Sequence, residues 1–471
     1  MDRSQAEALY DSGKEPTVSK LLELYEENRR LGAEPGSVRL NSTNSSRPPS
    51  SDGPEVKKKQ QSPTGLKQGA QPGHKGTCKK LLPVEQMDHV HELYPSRCEK
   101  CSLPVSPATN PETSEPFRHQ VFDIPEKIEP VKTEYRSHEL ECTCGHSTRA
   151  SLPQHAAQSN FGPRAHALIS YLTSCHFGTR RGVCQILSTV FGVDISLGAL
   201  CKALDRVNDA LEEPAEKIRE ALVQDNNLNI DETGWKSRGE RRTLWVFVAP
   251  LLVYFHIATS RGAAVLTSVL GQAFPGIITS DDASAYNCYH KGIRQLCWAH
   301  LIRKFLALQE VRGSPDACAF AKLMLDEIGN LFTCWYAFVD GHLSRVELRH
   351  ATALIRGRMK RWCRHYKSSQ DKAVCTRATK TLQNWPHLFT FIFHEGVEPT
   401  NNIAERALRF AVQWRKICFG SQSEAGLRFT ERILTVTRTC RLQGKNPFHY
   451  LARVMEAPSK STPIPSLVTS A

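Results

Sequence analysis

Acidic residues that follow short apolar runs are the places where this sequence could hold a divalent cation. Asp231 closes the apolar run of LNIDETGW (228–235), Asp281 follows Ile277 to Thr279, and Glu405 lies within PTNNIAERALR (399–409), so the three stand 50 and 124 positions apart. Clustered carboxylates are the hard ligands magnesium prefers. Two such ions about 3.5–4 Å apart can activate an attacking oxygen and steady a leaving oxygen on phosphorus. Each acid also has a local explanation. Asp231 could close a turn before Gly234, and Asp281 or Asp282 could cap the next helix. Glu405 could complete a capping box with Asn402 as N-cap, or pair with Arg409 one helical turn on. Their joint placement at the ends of separate elements favours chemistry. Asp281, directly after its strand at the carboxyl edge of a sheet, is preferred to Asp282. Glu232 should point to the opposite side of the strand from Asp231 and is the weaker ligand.

Two thiol pairs, Cys98-x-x-Cys101 and Cys142-x-Cys144, have the spacing of a tetrahedral structural zinc site, with His146 able to replace one ligand and Cys78 outside the pattern. The 16 cysteines are otherwise scattered through a 471-residue chain, and reduced thiols are expected. In Cys297-Trp-Ala-His300 only two zinc ligands are close. A structural or phosphate-contacting role for His300 is therefore expected there.

The elements that must position these residues follow from periodicity. A short helical pattern occupies 1–40, and 41–80 is a basic, disordered linker with eight basic against two acidic residues. A zinc-binding domain is expected at 81–150. A helical segment at 160–222 resembles a helix-turn-helix, with Arg180 to Phe191, Gly192-Val193, then a new start at Ser196. Strands are expected at Leu228 to Asp231, Thr243 to Ala249, Leu252 to Ala258, Ile277 to Thr279 and Arg294 to Cys297, with a helix from Gly262 to Leu270. Three strands, a helix, a strand, a helix and a strand is the order of a ribonuclease H-like core, its first part at 223–297. A helical insertion at 298–398 follows, then the second part of the core at 399–455 and a disordered tail at 456–471. The fold class expected is thus multidomain, mixing α+β and α/β.

The formal charge of +13 makes a polyanion the first partner to consider. Nine basic residues against three acidic ones between Thr400 and Lys445 make Arg406, Arg409, Arg415 and Lys416, beside His300, the candidates for DNA contact. Met1 to Lys20 carries four acidic residues and no apolar stretch of a secretory signal. The run from Leu244 to Phe255 is too short to span a bilayer and is broken by Pro250, so no membrane association is expected and the protein should be soluble and intracellular.

Several long motifs resemble transposases of the insertion sequence 66 family: DETGW (231–235), SRGA (260–263), SDDASAYN (280–287), QLCWAHLIRKF (295–305), PTNNIAERALR (399–409) and WRKICFGSQSEAG (414–426). NSSRPPSSD (44–52) and AQPGHKG (70–76) are similar to that family's linker, and the cysteine pairs to its zinc-binding domain. The resemblance spans roughly residues 40 to 452. It implies a DDE-class enzyme in which Asp231, Asp281 and Glu405 bind two Mg2+ ions, with Mn2+ as a substitute and structural Zn2+ on Cys98, Cys101, Cys142 and Cys144. Cleavage at the ends of the element, strand transfer into target DNA, terminal inverted repeats as partner, a homo-oligomer on DNA, element-encoded accessory proteins and a place in the bacterial cytoplasm or nucleoid are implied with it. Asp282 departs from the family, which usually has glycine there. A non-catalytic DNA-binding derivative of a transposase is the alternative reading, and a nuclease without strand transfer is a third.

Overall fold

The computed structural model describes residues 81–110, 114–311 and 313–468. The helix expected at 1–40 and the linker at 41–80 lie outside them. The described residues up to Glu129 group in one compact unit, and those from Pro130 onward in another. This boundary falls inside the expected 81–150 domain, with Cys98 and Cys101 in the first unit and Cys142 and Cys144 in the second.

In the first unit the Ser102 amide donates to the Cys98 carbonyl and the Cys98 amide to Leu103, both at 2.8 Å, closing a tight turn. The amides of Cys101 and Lys100 approach the Cys98 sulfur and hold its thiol below the ordinary range. In the second unit, β1 (Glu139–Glu141) and β2 (Ser147–Arg149) form a hairpin. Gly145 supplies its positive φ, and the Cys144 amide depresses the Cys142 thiol in the same way.

The rest of the second unit is built on a five-stranded sheet. Helices α1 (Gln154–Gln158), α2 (Pro163–Cys175), α3 (Arg180–Phe191), α4 (Leu197–Ala210) and α5 (Glu212–Val223) precede it. Gly192, with φ +62°, ends α3, and Ser196 caps α4 by accepting from the Ala199 amide, the pair of helices that the sequence suggests. The sheet comprises β3 (Asn227–Ser237), β4 (Glu240–Val248), β5 (Val253–Ala258), β6 (Ile277–Ser280) and β7 (Arg294–Leu296), in the spatial order β5-β4-β3-β6-β7. β3, β4 and β5 are antiparallel, whereas β6 and β7 run parallel to β3. Helix α6 (Ala263–Leu270) makes the crossover to β6, and α7 (Ser284–Tyr289) the crossover to β7.

The continuous apolar run of β4 reflects burial on both faces. Leu244, Val246 and Val248 pack on one side with α13 (Asn402–Cys418), α14 (Glu424–Leu442) and α15 (Pro447–Lys460). Trp245 and Phe247 pack on the other with Val265, Leu266, Val269 and Tyr286. At the outer edge of the sheet the amides of Val253, Phe255 and Ile257 donate to Thr439 Oγ1 (3.1 Å), Thr435 Oγ1 (3.0 Å) and Glu431 Oε1 (2.5 Å). Four residues of helix rise about 6 Å and two of strand about 6.6 Å, so side chains one turn apart meet every second amide and cover the edge.

Between β7 and α13 lie α8 (Trp298–Gln309), α9 (Pro315–Val339), α10 (Arg345–Tyr366), α11 (Lys372–Gln383) and α12 (Thr390–Phe393). They enclose a core of their own around Phe305, Phe320, Met324, Met359 and Phe391. The helical stretch expected after Trp298 is thus a packed bundle.

Three local expectations are corrected. Gly234 is no turn: β3 runs through it, paired with Thr243, and the hairpin turns at Arg238 and Gly239, whose φ values of +50° and +83° match the right-handed twist of the strands. Asn401, not Asn402, is the N-cap of α13, and its side chain makes no capping bond because it is held by β3. The expected tail at 456–471 is ordered through 468. Helix α15 continues past Pro458, Leu467 is buried, and Tyr450 Oη donates to the Pro465 carbonyl at 2.8 Å.

Beyond α13, Gly420 brings the chain against the end of β3. Its φ is +103°, and an added Cβ would meet the Lys236 carbonyl oxygen at 2.3 Å. Ser421 N donates to that carbonyl at 3.0 Å, and Trp235 Nε1 donates to Ser421 Oγ at 3.2 Å. Gly420→Ala is therefore expected to destabilise the fold by more than about 2 kcal/mol, combining strained backbone with a clash against a carbonyl that has nowhere to move. A urea midpoint equal to that of the parent would show that this close approach is not needed.

Candidate active site

Register places the first two acids. β3 pairs with β6 at a constant offset of 50, from Asn227 with Ile277 to Asn229 with Thr279. Asp231 and Asp281 therefore stand level with each other, just past the last paired residues, where the two strands part. Alternation along β3 puts Asp231 on the face of Trp235, which packs with Ala404, Ala407 and Leu408 of α13. Those residues form the buried stripe of α13, and Glu405 lies beside it, close enough for its charge to raise the Asp231 carboxyl.

A chain of buried hydrogen bonds holds the three carriers together. Asn401, fully buried, donates from Nδ2 to the Ile230 carbonyl at 2.8 Å and accepts from Asn229 Nδ2 at 3.1 Å. Its amide donates to Cys297 Sγ at 3.2 Å, and the Cys297 amide donates to the Ser280 carbonyl at 2.9 Å, next to Asp281. One asparagine side chain thus ties β3 to the start of α13, and one cysteine ties that start to β6.

Arg294, 1% exposed, anchors the Asp281 turn. Its Nη2 donates to Ser280 Oγ (3.0 Å) and the Asp281 carbonyl (3.2 Å), Nη1 donates to Asn287 Oδ1, and the guanidinium lies over the Tyr286 ring. Asp281 Oδ1 accepts from the Ala283 amide at 2.9 Å.

The neighbouring acids have partners of their own. Glu232 faces away from Asp231, as its place in the strand requires, and is bound by Arg261 at 2.6 Å and by Tyr286 Oη. Asp282 pairs with Lys304 Nζ at 3.5 Å. Glu405 makes neither a capping box nor an ion pair with Arg409; its Oε1 lies 3.8 Å from His300 Nδ1 and 3.9 Å from Arg303 Nη2. That oxygen is buried, and no hydrogen-bond donor reaches it.

The electrostatics are those of crowded acids. Burial, then the Glu232 charge, with Asp281 and Glu405 adding to it, push the Asp231 carboxyl up to about 8. Burial and Arg303 bring His300 down to about 4, so it is a neutral imidazole near pH 7. A divalent cation would relieve the repulsion among the acids, and the unmet Glu405 oxygen suits a metal ligand. The residues thus fit the hard cation that the sequence suggests. Among the described residues, however, the three ligand atoms that come within 4.8 Å of one another belong to Cys297, His300 and Glu405, not to the three acids.

Of the basic candidates, Arg406, Arg409 and Lys416 are exposed on α13. Arg415 is tied down, donating to Thr233 Oγ1 at 3.3 Å and to the Gly234 carbonyl, and is a strut between α13 and β3. Asn401, Arg294 and Arg303 escaped the sequence reading. Asn401 resembles an ordinary helix cap, and nothing in a lone arginine within IRQLC announces burial.

The sequence pattern of the Transposase IS66 family matches residues 158–428, more than half of the chain and all three acids. The chain belongs to this transposase family. A family of unknown function, DUF6444, matches residues 11–80. Two curated relatives of this IS66 family member come from Sinorhizobium fredii (strain NBRC 101917 / NGR234). The uncharacterized protein y4qI is 25% identical over 294 residues, covering 56% of this chain and 53% of the relative. The uncharacterized protein y4jD is 25% identical over 236 residues, covering 48% and 46%. The IS66 chain spans about half the length of the curated relatives it matches. No helix among its described residues is long and apolar enough to cross a membrane.

Proposed function

We propose that this chain is an active DNA transposase of the DDE class, cutting DNA at the ends of its element and joining the freed ends to target DNA. The sheet order, with three antiparallel strands followed by two parallel ones, supports a ribonuclease H-like core whose helical insertion separates the second acid from the third. Asp231, Asp281 and Glu405 would hold two Mg2+ ions, with Mn2+ a workable substitute. When bound, such ions sharpen an attacking oxygen and steady a leaving one.

The protein's own groups position and neutralise. Arg294 and Asn401 fix the turn of Asp281 and the approach of α13, so the acids keep their places when DNA arrives. Arg406, Arg409 and Lys416 offer an exposed basic face for the phosphates of double-stranded DNA, in terminal inverted repeats and in the target. Neutral His300 contributes shape at the site, not charge. Water attacks a phosphodiester at the element end and frees a 3′-hydroxyl, which then attacks target DNA without a covalent protein intermediate. Assembly on two ends calls for a homo-oligomer on DNA, and element-encoded accessory proteins are compatible with that.

The observation that carries this reading is the shared register of Asp231 and Asp281 at the parting of β3 and β6, with the charge of Glu405 on α13 felt at Asp231. Incubating the protein with DNA bearing its element ends and Mg2+ is expected to give strands ending in 3′-hydroxyls, and joined products when target DNA is added. End binding without cleavage would sink the enzyme and leave a DNA-binding derivative; cleavage without joining would leave a nuclease.

A further inference from the structure

We propose that Cys297, His300 and Glu405 form a second, soft-cation site of the Zn2+ class, sharing its carboxylate with the acidic site. This rests on the reading of Glu405 as the third acid. The cation binding itself rests on geometry alone.

The sequence shows only two neighbouring ligands, at Cys297 and His300. Folding supplies the third by laying the first turn of α13 across the N-terminus of α8, so that sulfur, imidazole nitrogen and carboxylate oxygen lie within 4.8 Å of one another. On two of the three residues a buried atom has no hydrogen-bond partner, His300 Nδ1 and Glu405 Oε1. Buried polar atoms without partners are uncommon, and two facing each other at 3.8 Å are explained by a ligand between them. The sulfur is fixed in place as well. Cys297 is the N-cap of α8, and the Asn401 amide donates to Sγ at 3.2 Å.

Three protein ligands with a fourth position open is the arrangement zinc accepts. A sulfur–nitrogen–oxygen set selects Zn2+ or Co2+ over Mg2+, which demands oxygen. On binding, the metal–sulfur bond forms as the thiol proton leaves to water. Arg303, 3.9 Å from Glu405 Oε1, gives up that weak contact.

The test titrates Co2+, as a coloured stand-in for Zn2+, into the full-length protein and into Cys297→Ser, His300→Gln and Glu405→Gln. The paired thiols at Cys98, Cys101, Cys142 and Cys144 are intact in every sample, so their uptake cancels in the difference. The parent is expected to take up one Co2+ more than Cys297→Ser, with thiolate-to-cobalt charge-transfer absorption in that difference. Excess Mg2+ should leave the band in place. His300→Gln and Glu405→Gln should weaken this equivalent by at least about 100-fold, since even outer partners of a ligand are worth about 10–100-fold. Circular dichroism identifies a variant that fails to fold, and His300→Gln, which keeps the sulfur, then gives the answer. Equal stoichiometry and equal spectra in parent and folded variants would overturn the site. A Glu405→Gln titration matching the parent would overturn the sharing. If the parent never cuts DNA but the Co2+ difference persists, the catalytic reading fails and this site stands.

Discussion

Asp231→Asn is expected to reduce Mg2+-dependent cleavage of end DNA by at least about 100-fold, and to raise the melting temperature of the metal-free protein. The first effect follows from removing the charge of a direct metal ligand, which should exceed the roughly 10–100-fold attached to outer partners. The second follows from crowding. Burial, Glu232, Asp281 and Glu405 push the Asp231 carboxyl from its ordinary 3.8 to about 8. Between those values the folded protein keeps a proton that the unfolded chain releases. The group therefore favours folding below about pH 4, and that contribution is lost as pH rises toward 8, at about 1.4 kcal/mol per pKa unit. Asparagine fills the same space without the charge, so the variant should melt a few degrees higher near pH 8 and show a flatter pH dependence. A residue kept only to close a hydrogen bond would behave oppositely, with lower stability and little change in cleavage. That pattern in Asp231→Asn, read by thermal melts across pH beside a nicking assay, would remove Asp231 from the site. Asp282→Asn is the control: its carboxylate is paired with Lys304, and a far smaller loss is expected.

Arg294→Met should cost on the order of 3 kcal/mol, because hydrogen bonds to a charged group contribute about 1.5–3 kcal/mol each and their loss strands buried acceptors. Methionine retains most of the volume, leaving Ser280 Oγ, the Asp281 carbonyl and Asn287 Oδ1 without their donor. The guanidinium itself is held against the penalty of burial, which lowers its pKa, so the network and not the charge is the source of stability. The Asp281 turn then loses its anchor, and cleavage should fall at temperatures where the variant is still folded. Arg294→Lys restores the charge but not the fork, and should recover stability only in part. Denaturant midpoints and nicking rates that match the parent would show that the turn is fixed by other means.

Much of this arrangement is legible in the sequence, for physical reasons that differ from residue to residue. The run around Leu244 to Val248 reads as a buried strand, and the structure buries it on both faces, Val246 on one and Trp245 on the other. The separation of 50 between Asp231 and Asp281 is also the register offset of β3 and β6, a coincidence that becomes meaningful only once the strands are paired. Gly234 misled because glycine marks turns and yet sits without strain opposite Thr243, while Arg238-Gly239 carried the true turn signal. Asn401 was illegible because capping and cross-linking use the same side-chain atoms, and only tertiary contact decides between them. The third member of the Cys297–His300 set was invisible for the simplest reason: it lies more than a hundred positions downstream.

The helical bundle leaves the sheet at Trp298 and returns at Pro399, and the amide of the first donates to the carbonyl of the second at 3.0 Å. The two seams of the bundle are therefore already stitched, and the sheet registers the bundle as a closed loop whatever its contents. Each doubling of a closed loop adds only about 0.6 kcal/mol of closure entropy. A change of length within the bundle, away from these seams, therefore adds little closure cost to the placement of Glu405. The bundle is bonded to the sheet elsewhere as well: the Phe391 amide donates to Gln295 Oε1 at 3.0 Å, and Gln295 Nε2 donates to the Leu388 carbonyl at 3.1 Å. Trp298 is buried inside the bundle with its Nε1 donating to the Leu388 carbonyl at 2.6 Å. A transplanted bundle must bring its own socket for that indole.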